Sequence, residues 1–412
     1  MSSIVTDVHP RSVTSTAPAA PRRLAFWLLA FVFAVVMLGT TLPTPLYVVY
    51  QARWHFQAAI ITVIFAVYAA GVLGALLLAG RSSDQAGRKP VLAVALGASA
   101  LSTVVFILAP DAGVLLAGRI VSGLSAGLMT GTATAALTDL ARGSHRASLV
   151  ATVANMGGLG LGPLIAGLFA QYLPRPTVTV FEAYLAALAA AALALLFIPE
   201  TVSPRRRPAL RFTGLGIPSA GRGEFVAAAA AAFSAFSLLG LFSALAPTFL
   251  ATVLHEHGHA IAGAVVFLLF AAGTVTQLLA SRLPSRAVML AGLPLLLAGL
   301  ALIVAGLAQA ALGLFLAGTV VAGVAVGAVF LGSLATASRL APPGRRGQVI
   351  SAYFVACYCG LTVPVIGVGV LSGLIGDFSA VLILAVLIAA LCLMAVASIA
   401  RAGAPGQAVT RP

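Results

Sequence analysis

Residues 57–79 read QAAIITVIFAVYAAGVLGALLLA, residues 80–89 read GRSSDQAGRK, and residues 90–108 read PVLAVALGASALSTVVFIL. Each flank is about the 20 apolar residues that a helix needs to cross a hydrocarbon core. The ten residues between them carry Arg81, Asp84, Arg88 and Lys89. This apolar–basic–apolar unit recurs along the chain. Apolar runs of spanning length start near Leu24, Gln57, Pro90, Gly113, Ala147, Val180, Glu224, Ala260, Ala287, Ala310, Gln348 and Phe378. Twelve runs in 412 residues, with the strand-like alternation of a membrane barrel missing, predict an all-α membrane protein of twelve spans.

Composition agrees. The chain is 61% hydrophobic and 8% charged, against about a quarter charged in a soluble domain, so lipid is the expected solvent and the bilayer the first partner. The net charge of +14 is no nucleic-acid signal, because the basic residues sit in short gaps between apolar runs. With the N-terminus placed in the cytoplasm, 20 of the 23 Arg and Lys fall in inner gaps or tails. Arg53 and Arg175 fall outside and Arg119 within a span. Both termini are therefore expected to be cytoplasmic. Arg outnumbers Lys 22 to 1, which points to a GC-rich bacterial genome and so to a bacterial inner membrane. The three cysteines, Cys357, Cys359 and Cys392, lie in apolar runs and read as buried small hydrophobes.

The expected organisation is a disordered cytoplasmic tail at 1–22, a six-helix bundle at 23–200, a cytoplasmic linker at 201–222, a second six-helix bundle at 223–401 and a tail at 402–412. The linker holds Pro-Arg-Arg-Arg-Pro at 204–208. A weak repeat joins the halves. Arg146-Ala-Ser-Leu-Val, opening the fifth span, matches Arg346-Gly-Gln-Val-Ile, opening the eleventh, and Gly162-Pro163-Leu-Ile matches Val363-Pro364-Val-Ile. Parallel six-helix halves suit alternating access about a central site.

The gap Gly80-Arg-Ser-Ser-Asp84-Gln-Ala-Gly87-Arg88-Lys89 resembles the signature loop of the major facilitator superfamily, in place as well as spacing. Gln85 stands where the family prefers a basic residue. Glycines allow the turn, and Asp84 can cap the next helix or pair with an Arg, forming a cytoplasmic gating clasp. Leu115-Leu-Ala-Gly-Arg119-Ile-Val-Ser-Gly123 resembles a second family motif. An Arg at the bilayer centre costs roughly 3 kcal/mol on insertion scales, so Arg119 either snorkels to the surface or faces a wet cavity. Gly158-Leu-Gly160-Leu-Gly162-Pro163-Leu-Ile-Ala-Gly167 resembles the motif of the superfamily's drug:proton antiporters, with Ala166 in place of one glycine. Its small residues and proline predict a tightly packed, bendable seam. Pro199-Glu200-Thr201 resembles a frequent ending of the sixth span, a weak signal.

Asn155, Thr40, Thr44, Ser122 and Ser237 join Arg119 as candidate cavity residues, although most such hydroxyls simply bond a carbonyl one turn back. None of the nine acids lies mid-span, and no His does. A proton carrier is thus not visible within the membrane, and Asp139, at the inner end of the fourth span, is the nearest candidate. His255-Glu256-His257-Gly258-His259 matches the zinc-protease pattern H-E-x-x-H, but in a short outer gap and without a recognisable third ligand. No P-loop pattern occurs.

The resemblance implies a monomeric secondary transporter, not an enzyme, with a small-molecule substrate, no cofactor, no metal and no nucleic-acid partner. Efflux of small apolar or weakly cationic compounds is the expected function, with protons as the candidate coupling ion. The alternatives are an uncoupled facilitator or importer of a neutral solute such as a sugar and, remotely, an intramembrane zinc metalloprotease.

Overall fold

The computed structural model describes residues 21–79, 82–202, 214–342 and 344–402. Gly80, the tails at 1–20 and 403–412, and the Pro-Arg-Arg-Arg-Pro stretch lie outside the described residues. Among the described residues twelve helices are long and apolar enough to cross a membrane. They are α1 (Arg22–Trp54), α2 (Ala59–Leu78), α3 (Arg88–Leu108), α4 (Ala112–Leu140), α5 (His145–Tyr172) and α6 (Pro176–Leu196), then α7 (Arg222–Thr252), α8 (His259–Ala280), α9 (Ser285–Ala308), α10 (Leu312–Arg339), α11 (Arg346–Ile375) and α12 (Phe378–Ser398). Each begins within a few residues of its expected start. No strand occurs among the described residues.

Packing repeats with a period of six helices. In the first half α1 packs on α4, α5 and α6, α4 on α2 and α3, and α3 on α6. In the second half α7 packs on α10, α11 and α12, α10 on α8 and α9, and α9 on α12. Every pairing has its counterpart, so the fold is two pseudo-symmetric six-helix bundles. The two most extensive contacts between them are α5 on α8 and α2 on α11, and these exchange under the same symmetry.

Local chemistry sets the helix ends. Asp111 caps α4, its carboxylate accepting the Val114 N–H at 3.0 Å. Arg142 and Gly143 take positive φ to turn α4 into α5. Within α5 the regular ladder widens to a π turn at Val153–Gly157. Pro163, inside the same span, has no N–H for the Leu159 carbonyl. Thr41 of α1 fills that vacancy, donating its hydroxyl to Leu159 O at 2.7 Å. In lipid such a rescue is required, because water is not there to replace the lost bond.

Candidate functional site

Three groups of residues bear on function. The first lies at the end of the bundle that carries most of the basic residues. A short helix, Ser82–Ala86, follows α2 and holds Asp84. Gly87 then turns the chain at φ +102°, where a side chain would be strained and would also meet the Glu200 carboxylate. Arg88 pairs with Asp84 at 2.6 Å and with Asp139 of α4 at 3.3 Å, and donates to Ser83 Oγ at 2.7 Å. Thr201 donates to the same Asp139 oxygen at 3.1 Å, and Arg22 donates to the Asp139 carbonyl at 3.2 Å. These contacts make a polar clasp in which Asp84 takes the pairing role of its two expected ones. The cap on α3 is not Asp84 but Glu200, whose carboxylate accepts the N–H groups of Arg88 at 2.8 Å and Lys89 at 3.0 Å. Lys89 returns the tie, donating Nζ to the Leu196 carbonyl at 2.8 Å. Asp139, the proton-coupling candidate, sits inside this clasp as the partner of Arg88 rather than among the cavity residues.

The second group is the seam between the halves at the opposite end. The glycines of α5 divide by face. Gly158 and Gly162 lie against the α1 backbone at Ala34 and Leu38, while Gly160 and Gly167 lie against α8 at Phe270 and His259. A methyl group added to Gly167 would overlap the His259 carbonyl oxygen, and one on Gly263 the carbonyl of Pro163. Gln171 accepts the His259 N–H at 2.9 Å across the same seam. The symmetric partner contact puts Gly369 of α11 against Thr62 of α2.

The third group lies within the spans. Arg119 is only 1% exposed. It does not snorkel to the surface, which corrects that expectation. Its guanidinium donates to the Thr40 carbonyl at 2.6 Å and lies over the Tyr68 ring at 4.6 Å and the Phe65 ring at 5.9 Å. Thr40 spends its own hydroxyl on Met37 O at 2.7 Å. Ser237 behaves in the bland way, donating to Phe233 O at 2.8 Å, and Ser122 is buried on α4. Thr44 Oγ1, Tyr47 Oη, Arg119 Nε and Asn155 Oδ1 are buried without a hydrogen-bond partner. Tyr47 and Tyr68 were not anticipated. Aromatic residues in apolar runs carry no signal until the fold places them beside a charge.

A narrow cleft with room for about 20 Å³, roughly one water molecule, lies about midway along the helices and mostly within the second half. It is lined by Met156 of α5, Phe236 and Leu239 of α7, Leu269, Phe270, Gly273 and Gln277 of α8, and Val326, Gly327 and Phe330 of α10. The zinc-protease pattern does not form. Thr252 ends α7 and His259 begins α8, so His255 and His259 are separated by non-helical chain instead of sharing a helix face. Among the described residues no three potential metal ligands come together.

The family description "Major Facilitator Superfamily" matches residues 29–363. The chain belongs to the Major Facilitator Superfamily. It is a transporter and not an enzyme. This superfamily member is 36% identical over 115 residues to the triacylglyceride transporter of Mycolicibacterium hassiacum, a stretch covering 27% of this chain and 21% of the relative. It is 37% identical over 86 residues to the multidrug resistance protein MdtL of Escherichia coli O45:K1, covering 21% of this chain and 22% of that one. The chain thus spans about a fifth of the length of these curated relatives. Its fold is similar to that of the nucleoside transporter NupG, with a TM-score of 0.71 at 14% identity over 92% of this chain and 100% of that one.

Proposed function

We propose that this protein exports small, largely apolar compounds across a bacterial inner membrane by alternating access. The basic end faces the cytoplasm in this reading, which the distribution of Arg and Lys supports. The moving bodies are residues 23–200 and 223–401, joined by the linker at 201–222. The carrying observation is the narrow cleft where Met156 of the first half meets the second, whose lining is apolar and aromatic apart from Gln277. Such a lining favours a substrate that sheds little hydration on entry. The partial likeness to MdtL, named for multidrug resistance, supports the outward direction.

The contacts between halves described above gather toward the end bearing Gln171 and His259. The chain is thus read in the state closed to the outside. None of the cleft-lining side chains titrates, which favours a second reading, an uncoupled facilitator. The test is dye accumulation in cells with the gene deleted or overexpressed. Export predicts higher accumulation on deletion and lower on overexpression, and unchanged accumulation across a broad panel contradicts it. A protonophore then separates the two readings. Loss of flux supports proton coupling through carboxylates outside the cleft, and persistent flux down a substrate gradient supports the facilitator.

A further inference from the structure

We propose that the buried polar cluster around Arg119 is a subsite for the carboxylate of a small organic acid. An arginine side chain stays protonated under any physiological condition and offers five N–H donors. Arg119 is 1% exposed, and its hydrogen bond to the protein goes to the neutral Thr40 carbonyl. Among the described residues no carboxylate pairs with it. The acids of the first half within the described residues are Asp84, Asp111, Asp139, Glu182 and Glu200. Asp84, Asp139 and Glu200 are engaged in the clasp at the basic end, and Asp111 caps α4. Glu182 is an exposed side chain on α6. The faces of Tyr68 and Phe65 give only partial compensation.

A second, independent observation points to a ligand. Three donors in this region lack acceptors: Arg119 Nε, Tyr47 Oη and Thr44 Oγ1. Tyr47 and Thr44 are each 1% exposed, so both hydroxyls are shut off from the surface. Thr44 and Tyr47 follow, four and seven residues along the same span, the Thr40 carbonyl that Arg119 holds. A guanidinium edge with hydroxyl donors nearby suits a carboxylate, an acceptor-only group that pairs with Arg through parallel N–H bonds. An ammonium or other cation would instead meet an uncompensated positive charge. The subsite therefore points away from cationic substrates.

Access follows from the fold. The turn Thr44–Leu46 packs on α7 and α8 of the other half, so the cluster is roofed by the partner bundle. It would open when the halves part at that end. This part rests on the alternating-access reading; the anion preference itself does not.

The test uses the purified full-length chain in nanodiscs, with 2-naphthoate, 2-naphthamide and sodium chloride as probes. Binding is read by equilibrium dialysis of the labelled aromatic compounds and by thermal stabilisation. We expect saturable binding of 2-naphthoate at least ten-fold tighter than of 2-naphthamide. Arg119→Gln should abolish that preference while leaving weak binding of both compounds. Tyr47→Phe, which removes only an unpaired hydroxyl, should keep the fold and weaken 2-naphthoate several-fold. Equal binding of acid and amide overturns the proposal. So does a preference that survives Arg119→Gln, or equal stabilisation by chloride at the same concentration. Because binding is measured without transport, loss of the acid preference alongside intact dye export sinks only this inference. Intact preference without export sinks only the export reading.

Discussion

Glu200 at the end of α6 accepts the backbone N–H of Arg88 at the start of α3, 2.8 Å away, and through this bond the ending of one span caps the beginning of another. Free N–H groups and the positive pole of α3 lie where the carboxylate is placed. Arg88 is held at both ends, its backbone by Glu200 and its guanidinium by Asp84 and Asp139. Glu200→Ala removes the cap and should cost about 1 kcal/mol. Thermal unfolding of the purified protein should show a lowered midpoint, with Glu200→Gln intermediate because it keeps an acceptor.

The clasp also predicts an ordering among carboxylates. Asp139 receives both Arg88 and Thr201, whereas the Asp84 side chain is 63% exposed. Exposed pairs contribute about 0–1 kcal/mol. Asp84→Asn should therefore change stability little, and Asp139→Asn more. Paired thermal melts check this, and a larger effect at Asp84 would mean that its partner in the operating protein is not Arg88 alone.

Thr41 predicts a substitution pair. Its hydroxyl answers the Leu159 carbonyl that Pro163 leaves free. Thr41→Val keeps shape and removes the donor, which should cost about 1 kcal/mol, the usual scale of an interhelical hydrogen bond in a membrane. Thr41→Ser should behave as the parent. Unfolding in increasing SDS fraction measures both.

Much of this fold was legible in residues 57–108 and their recurrences, because hydrocarbon thickness sets a length that sequence displays directly. Gly87 and Pro163 were legible too, since their backbone roles follow from residue type. Glu200 as a cap was not. Its partners lie 111 and 112 residues away, and local pattern carries no distance of that kind. Arg119 was visible as an anomaly, but its environment was not. A buried or a wet arginine looks the same in sequence, and only the placement of Thr40 and Tyr68 separates them. The H-E-x-x-H pattern, a remote alternative from the start, fails for a converse reason: it presumes a continuous helix, and here the chain breaks between α7 and α8.

The cleft predicts substrate dependence. Met156→Trp adds bulk to its lining and should weaken binding of an exported dye strongly while leaving the twelve spans inserted. Phe236→Ala removes an aromatic contact surface and should weaken aromatic substrates by about 1 kcal/mol, roughly five-fold. Concentration-dependent transport in proteoliposomes gives both, and unchanged apparent affinity in both variants would place the substrate elsewhere.

The seam bears on the cycle itself. Gly167 leaves no room for a side chain beside His259 O. Gly167→Val should hinder closure at that end and lower transport roughly ten-fold, since overpacking against backbone costs about 1–3 kcal/mol. The most direct test of alternating access follows from the same seam. Spin labels are placed at Tyr172 and His257 across one end, and at Ser144 and Leu283 across the other, in a background lacking Cys357, Cys359 and Cys392. Pulsed dipolar distances are then recorded in nanodiscs with and without a transported dye. The account predicts two populations whose distances change in opposite senses, short at one end when long at the other. A single unchanged distance at both ends, in protein that transports, would contradict it.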